Sequence, residues 1–316
     1  MSAKDKPTRP RQMEGSIHLL QNIPDIQPDR YMKKIKLHSP SITISLNGKI
    51  GFFYEVGGTN GIEARERAST EKLLPIHYSA RITRKTQLDK FPIIVAADGY
   101  RSLMARKTGL LNSRRLSKIG IGIGFNVKGE FDPELVEVWL DNYFSLHGYT
   151  YLIPFSNHEA SLVSVSIGKT INIQTYKQRL QELAKSKKLE IQEEWTDFET
   201  WYDFASYTGN GLYLIGNAAS FTEAAFGFGL KWAIHSAKIC AKAIHTNVNY
   251  NNLLDKELLP ELKSFQDIGR FFEAAKDDDY DRFVKTFKNP LVKKIAESGA
   301  SLFRYRHLMR NMFQSK

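Results

Sequence analysis

Cysteine is almost missing from this sequence of 316 residues: Cys240 is the only one. A single thiol excludes, within one chain, a disulfide framework, a Cys-x-x-Cys redox pair and a cysteine-rich metal site, so any redox chemistry must come from a bound cofactor. Long apolar runs are missing too. No stretch of about 18 uncharged apolar residues occurs, and Met1 to Met13 is polar and proline-containing, without the apolar core of a signal peptide. The expectation is a soluble or peripheral protein made in the cytosol, cytoplasmic or attached to a membrane surface. The eight histidines form no His-x-x-x-His or His-x-x-His pair, and there is no Gly-x-Ser-x-Gly elbow and no Walker loop. Asp277-Asp278-Asp279 reads as a solvated acidic patch rather than a metal site. No internal repeat and no low-complexity linker divides the chain.

What is present is a large apolar content and an uneven charge. With 42% hydrophobic residues the chain can bury a sizeable core, as one large domain or two intimate ones. The net charge of +11 is concentrated at one end. Between Arg282 and Lys316 there are nine Lys or Arg residues against the single acid Glu297. Apolar residues from Leu291 to Phe313 recur there at helical spacing. Such a segment can lie on an anionic membrane; the simpler reading is a C-terminal helix docked on the core with a solvated basic face. No nucleic-acid recognition module accompanies the charge, so no nucleic acid is expected as a partner.

The apolar pattern predicts loops and short strands from Met13 to Ile44, a strand at Lys49 to Val56, a helix from Ile62 to Leu74 and a strand from Ile76 to Thr83. Phe91 to Ala97 is a continuous apolar run, as in a buried parallel strand, and it stops at Asp98-Gly99. Alternating strands follow at Ile119 to Val127, Leu135 to Leu140, Tyr149 to Ile153 and Ala160 to Ile167, then a helix from Ile173 to Lys187. Gly211 to Gly216 is a second short buried strand, leading through a Gly- and Ala-rich turn into a helix from about Gly229 to Thr246. The rest is helical. Trp195, Phe198, Trp201 and Tyr202 form an aromatic cluster that reads as core or pocket wall.

The two Gly-rich turns carry the chemistry. Asp98 at the carboxyl end of a strand faces the position where open α/β sheets bind ligands. Gly99 lets a ligand approach the backbone, and Ser102, with Arg101 or Arg106, can meet phosphate or ribose. In the second turn Gly216, Asn217 and Ala218 leave room for a flat ligand, while Gly227, Gly229 and Leu230 sit where a helix begins and offer free N–H groups to an electron-rich ring edge. An Asp-Gly dipeptide alone is usually a plain turn, and small residues alone also suit close helix packing. His147 and His235 lie near these motifs and read as structural.

Val95-Ala96-Ala97-Asp98-Gly99-Tyr100-Arg101-Ser102 resembles the Asp-Gly motif of the flavoprotein hydroxylase and geranylgeranyl-reductase superfamily. Gly216-Asn217-Ala218-Ala219, followed by Gly227-Phe228-Gly229, resembles its Gly-Asp motif, in the right order and at a fitting separation. Tyr149-Thr150-Tyr151-Leu152-Ile153-Pro154 is similar to the Tyr-x-Trp-x-Phe-Pro segment of the reductases. The likeness spans about Phe91 to Ile244. It implies bound FAD, with Asp98 and Gly99 near pyrophosphate and ribose, Asn217 near ribitol or pyrophosphate, and the N–H groups of Gly227, Gly229 and Leu230 near the pyrimidine edge of the isoalloxazine. Tyr149, Tyr151 and Pro154 would line an apolar substrate site. The implied activity is reduction of double bonds in a prenyl or similar lipid chain, with NAD(P)H or another reductant as electron donor. The alternatives are an FAD-dependent monooxygenase of an apolar substrate, and a truncated non-catalytic homologue or half of a split flavoenzyme.

The sequence departs from the family at several points. Asn217 stands for the family's Asp, Ser220 for its Gly and Ala224 for its Pro, and the family's Cys near the flavin is absent. The opening Gly-x-Gly-x-x-Gly is not found: Gly57-Gly58-Thr59-Asn60-Gly61 has the wrong spacing, and Gly120-Ile121-Gly122-Ile123-Gly124 alternates as a strand, so its glycines read as packing residues. The expected fold is therefore mixed α/β: an incomplete FAD-binding Rossmann-like domain (residues 1–110 and 205–250), an antiparallel substrate-domain sheet (111–204) and a helical C-terminal region (251–316). A protein partner supplying the missing N-terminal fold is expected beside the apolar substrate.

Overall fold

The computed structural model describes residues 13–17, 27–78, 80–83, 85–110, 115–168, 171–203, 206–222 and 227–298. Its backbone is organised by an eight-stranded sheet and a separate three-stranded one, with helices packed against them. In the large sheet the strands are β1 (Met13–Ile17), β2 (Arg30–His38), β3 (Thr43–Glu55), β5 (Arg115–Lys128), β6 (Leu135–Trp139), β7 (Tyr149–Pro154), β8 (Glu159–Ile167) and β9 (Glu190–Asp203). They are ordered β1-β3-β2-β6-β7-β8-β5-β9, antiparallel except where β2 runs beside β6. The sheet is continuous across the two halves read from sequence, since β1 to β3 join β6 in it.

Alternation in β5 shows how sequence makes this sheet. Ile121, Ile123, Phe125 and Val127 point to one face and are buried beneath α3 (Ile173–Ser186), which contributes Tyr176, Leu180, Leu183 and Ala184. The intervening glycines face the other way. Trp195 pairs directly with Gly124, and its indole occupies the space a Cβ there would need. The sequence reading of these glycines as packing residues holds for Gly124. The tryptophan is buried on the strand β9, which the pattern of apolar residues did not reveal.

Other elements differ from expectation. β2 is a strand of 9 residues where short strands and loop are predicted, and β3, of 13 residues, contains the strand predicted from Lys49 but begins six residues earlier. Their polar residues alternate with buried Met32, Ile35, Leu37 and Leu46, so half-exposed strands are masked by lysines. Conversely, no strand forms among the described residues of 76–83, whose side chains are mostly exposed. Gly57 and Gly58 adopt positive φ between β3 and α1 (Ile62–Glu71), and a Cβ at Gly61 would collide with the Gly57 carbonyl. The turn closes on itself and leaves no cradle.

The small sheet is ordered β10-β11-β4, from β10 (Thr208–Gly209), β11 (Leu212–Leu214) and β4 (Ile94–Ala96). The chain then winds through α4 (Leu230–Thr246), α5 (Tyr250–Glu257), α6 (Leu259–Ser264), α7 (Gln266–Ala274), α8 (Asp277–Thr286) and α9 (Pro290–Glu297). The helical C-terminal region is as expected through Glu297; residues 299–316, with four of the nine basic residues of that segment, lie outside the described residues. α9 docks on β3: the Glu297 carboxylate accepts from Asn47 N–H at 2.9 Å, and a Cβ at Gly48 would collide with the Glu297 carbonyl. The triple aspartate opens α8 and is spent on structure, Asp277 accepting from Asn142 and Asp279 from Lys276 N–H. No group of three metal-ligating side chains occurs among the described residues, and no helix there is long and apolar enough to cross a membrane.

The parallel register of β2 and β6 places His38 opposite Trp139, where the rings stack at 5.0 Å, and brings Glu137 within reach of His38 and Lys187. Glu137 accepts from His38 Nε2 at 3.0 Å and from Lys187 Nζ at 2.8 Å. Burial pushes its carboxyl pKa up, but these hydrogen bonds and charges outweigh that and hold it at about 2. A depressed carboxyl stabilises the fold above its unfolded pKa near 4.5 and loses that contribution as pH falls toward 2. Acid titration of unfolding free energy should show a loss on the order of 3 kcal/mol across this window, and Glu137→Gln should flatten it. Equal acid sensitivity in both proteins would overturn the assignment.

Candidate functional site

The two Gly-rich turns leave the same end of neighbouring strands. β4 and β11 are parallel, joined by Ile94 N–H to the Gly211 carbonyl at 2.9 Å and by Ile215 N–H to the Ala96 carbonyl at 3.0 Å. Asp98 and Gly99 follow one carboxyl end and Gly216 to Ala218 the other. Two turns separated by more than a hundred residues of sequence thus leave the same end of neighbouring strands, the position where open parallel sheets bind ligands.

In the first turn, Gly99 has φ +76°, and no atom of the described residues lies within 4 Å of the place a Cβ would take. Such a backbone is costly for other residues and leaves its surface bare. The exposed Asp98 carboxylate accepts from Leu103 N–H at 2.7 Å and Met104 N–H at 3.1 Å, at the start of α2 (Leu103–Lys107). Ser102 is buried and its hydroxyl accepts from Ala105 N–H at 2.9 Å. Both side chains therefore cap this short helix. Arg106 turns back onto the carbonyls of Ser102 and Arg101.

In the second turn Gly216 (φ +53°) passes close beneath α4, where a Cβ would sit 3.1 Å from that of Ala233. Its N–H donates to the buried Ser236 hydroxyl at 2.9 Å. Gly216 to Ala219 form a 3-10 turn in which Ala218 is buried, and it ends at Ser220 in the left-handed region, φ +57°. That conformation explains why glycine suits the position. Asn217 Oδ1 accepts from the Thr222 hydroxyl at 2.8 Å and lies 3.0 Å from where a Cβ on Gly229 would be. The second turn is thereby held against the start of α4, and Ala224 lies outside the described residues.

The start of α4 has the character expected of it. Gly227 has φ +76° with no atom of the described residues within 4 Å of a Cβ position, and Gly229, the N-cap of α4, brings no side chain of its own to the first N–H groups. Leu230 packs against the cluster of Phe52, Tyr54, Val56 and Ile62. Lys231, which sequence reading missed, is only 7% exposed and its Nζ pairs with Glu261 Oε1 of α6 at 2.5 Å. Its position on an otherwise apolar helix stripe was the available signal; the pairing with Glu261 was not readable from spacing. The residues present fit an electron-rich flat ligand, through two left-handed glycines and a helix start whose N-cap is glycine.

The aromatic wall lies on β7. Tyr149 and Tyr151 stack at 5.9 Å, and Tyr149 packs against Phe272 of α7. Pro154 is buried, with its carbonyl held by Arg30. Tyr149 shares one continuous apolar cluster with Ala96, Leu212 and Leu214 of the small sheet. His147, in the left-handed region, bonds through Nδ1 to the Phe272 carbonyl at 3.2 Å, a structural tie between the β6–β7 loop and α7. Burial, then the nearby Lys231 charge, pushes the His235 pKa down. Burial pushes the Cys240 thiol up to about 11, so it is inert.

This arrangement is the fold of the flavin-dependent oxidoreductases and monooxygenases. A geranylgeranyl bacteriochlorophyll reductase-like protein from Thermoplasma acidophilum superposes with a TM-score of 0.71 at 17% identity, covering 97% of this chain and 90% of that one. A p-nitrophenol 4-monooxygenase from Pseudomonas putida superposes at 0.60 and 13% identity, over 90% of this chain and 82% of its own. A flavoprotein/dehydrogenase from Cytophaga hutchinsonii does so at 0.56 and 14% identity, over 89% and 83%. In sequence, the uncharacterized protein MJ1520 of Methanocaldococcus jannaschii is 24% identical over 225 residues, 66% of this chain and 56% of its own length. No family model matches the chain.

The capping geometry makes a direct prediction. Asp98→Ala should lower stability by about 1 kcal/mol by freeing two N–H groups of α2, while Asp98→Asn, which keeps one oxygen acceptor, should lose less. Urea midpoints at unchanged m would measure both. No change in either would show that α2 does not depend on this carboxylate.

Proposed function

We propose that this chain is an FAD-dependent reductase that saturates isolated double bonds in a prenyl or similar lipid chain. The observation that carries the reading is the meeting of the Gly99 and Gly216 turns at the carboxyl ends of two paired parallel strands, with the glycine-capped start of α4 held against the second turn. The left-handed glycines 99 and 227 leave backbone surface open to a flat ring and its phosphates. Asp98, Gly99, Ser102, Gly216, Asn217, Ala218, Gly227, Gly229 and Leu230 are the residues that would hold the cofactor, with the N–H groups at the start of α4 toward its electron-rich edge. Reduced flavin, replenished by NAD(P)H or another reductant, supplies the hydride that saturates an alkene. The chain itself orients the alkene and excludes water. The stacked Tyr149 and Tyr151, with Pro154, offer the apolar wall for that task, and the likeness to a reductase-like fold supports the assignment over hydroxylation.

The test begins with the visible spectrum of protein purified natively from its source, before and after FAD is added. Structured flavin bands are expected, and Gly227→Val, which fills the bare space and strains the turn, should weaken FAD binding at least about tenfold, about 1.4 kcal/mol. Under anaerobic NADPH, a geranylgeranyl lipid should gain two hydrogens per double bond. A native protein that stays colourless in saturating FAD would refute the flavin reading; substrate-dependent oxygen consumption without alkene saturation would replace the reductase with a monooxygenase.

A further inference from the structure

The outer side of α8 and α9 is basic. Along these two helices and the turn between them, exposed positions recur every third residue at Arg282, Lys285, Lys288, Leu291 and Lys294. The opposite side of each helix is anchored. Tyr280 and Val284 of α8 are buried, with Phe287 at its end, and Val292 and Ala296 of α9 pack against the same apolar cluster. Helical geometry then fixes the charged side outward.

The charges on this side are not spent within the fold. Several lysines elsewhere lie against carboxylates, as Lys34 does against Asp132, Lys177 against Glu194 and Lys242 against Glu257. Lys285, Lys288 and Lys294 have no acidic partner among the described residues. Arg282 turns back to Asp279, and Lys293 to Glu297. The sequence continues in the same character, since residues 299–316 hold four more Lys or Arg, no acid, and six Leu, Met or Phe.

Like charges set side by side repel one another, and an anionic partner removes that repulsion. The partner must also accept an aliphatic side chain, because Leu291 is 65% exposed between Lys288 and Lys294. A polyanion such as RNA satisfies the lysines but gives Leu291 no apolar phase. A bilayer with anionic headgroups offers both.

We infer that the outer side of α8 and α9 docks on an anionic lipid bilayer, with Lys285, Lys288 and Lys294 over the headgroups and Leu291 at the acyl boundary. On its inner side α8 carries Tyr280, in ring contact with Phe272 and through it with Tyr149, so the docked surface backs onto the aromatic wall. Holding that wall near a lipid source is the purpose, which rests on the reductase reading; the docking rests on the charge and its orientation.

The experiment sediments the full chain with vesicles of phosphatidylcholine alone and of phosphatidylcholine with about 30 mol% phosphatidylglycerol. Binding should be at least about tenfold tighter to the anionic vesicles, and should fall at least about tenfold between about 0.05 and 0.5 M NaCl. The triple variant Lys285→Gln, Lys288→Gln, Lys294→Gln should bind about 100-fold more weakly, at about fivefold for each lysine. Leu291→Ser alone should weaken binding about tenfold. The same loss of charge at Lys185, Lys256 and Lys263, exposed on α3, α5 and α6, should leave binding within about twofold. Equal binding to both vesicles, binding to neither, or equal losses in the two triple variants overturns the proposal, as does retention on mixed-sequence RNA with none on vesicles. Anionic binding without alkene saturation keeps the docking and sinks the reductase reading; saturation of a detergent-dispersed geranylgeranyl lipid by a chain that ignores vesicles does the reverse.

Discussion

The hydrogen-bonded parallel contact between β4 and β11 is the constraint on which the candidate site depends. It is short, involving Leu212, Tyr213 and Leu214 beside Ile94, Val95 and Ala96, yet it alone brings turns from distant parts of the sequence to the same end of neighbouring strands. Its inner face is well anchored. Leu212 and Leu214 are fully buried, and the Tyr250 hydroxyl donates to the Leu214 carbonyl at 2.9 Å. Burial pushes the Tyr250 hydroxyl pKa far up, so it stays a neutral donor at every ordinary pH. A neutral buried donor costs far less than a charge and fixes the strand against α5.

The antiparallel sheet serves that contact as a rigid support. β5, β8 and β9 pair over long registers, and α3 closes one face with a compact cluster. On the other side, β7 meets α7 and α8 through Tyr149, Phe272, Tyr280 and Phe271 in successive ring contacts. The aromatic wall is therefore pinned to the same helices that follow α4. Its apolar surface is continuous with the core beneath β4 and β11, so the aromatic wall and the two Gly-rich turns rest on one packed body.

The sequence made much of this legible where a residue's local chemistry and its tertiary use coincide. Alternating isoleucines in β5 and the amphipathic pattern of α3 report faces directly, and Asp98-Gly99 and Gly227-Phe228-Gly229 mark left-handed or close-approach backbone. It failed where the partner is remote. Ile76 to Thr83 alternates like a strand, but no strand forms among its described residues; β9 is full of acids yet is paired along its length by β5. Phe91 to Ala97 reads as a strand buried on both faces, whereas only Ile94 and Ala96 face the core. Ser102, read as meeting phosphate or ribose, also caps α2 by accepting from Ala105 N–H, a local role that hydroxyls share with ligand binding.

Asn217 shows how one departure from a family pattern can be consistent with the chemistry around it. A carboxylate beside the start of α4 would be drawn to the helix N-terminus, by about 0.3–1 kcal/mol, and would neutralise part of that positive end. Asn217 carries no charge but still fastens the turn, through its oxygen and the Thr222 hydroxyl, at contact distance from Gly229. The positive end of α4 is then shared among its first N–H groups and the Lys231–Glu261 pair in its first turn. Retaining the hydrogen bond while dropping the charge leaves more of the helix's positive end unneutralised beside Gly229, so the asparagine fastens the turn without weakening the field at that place.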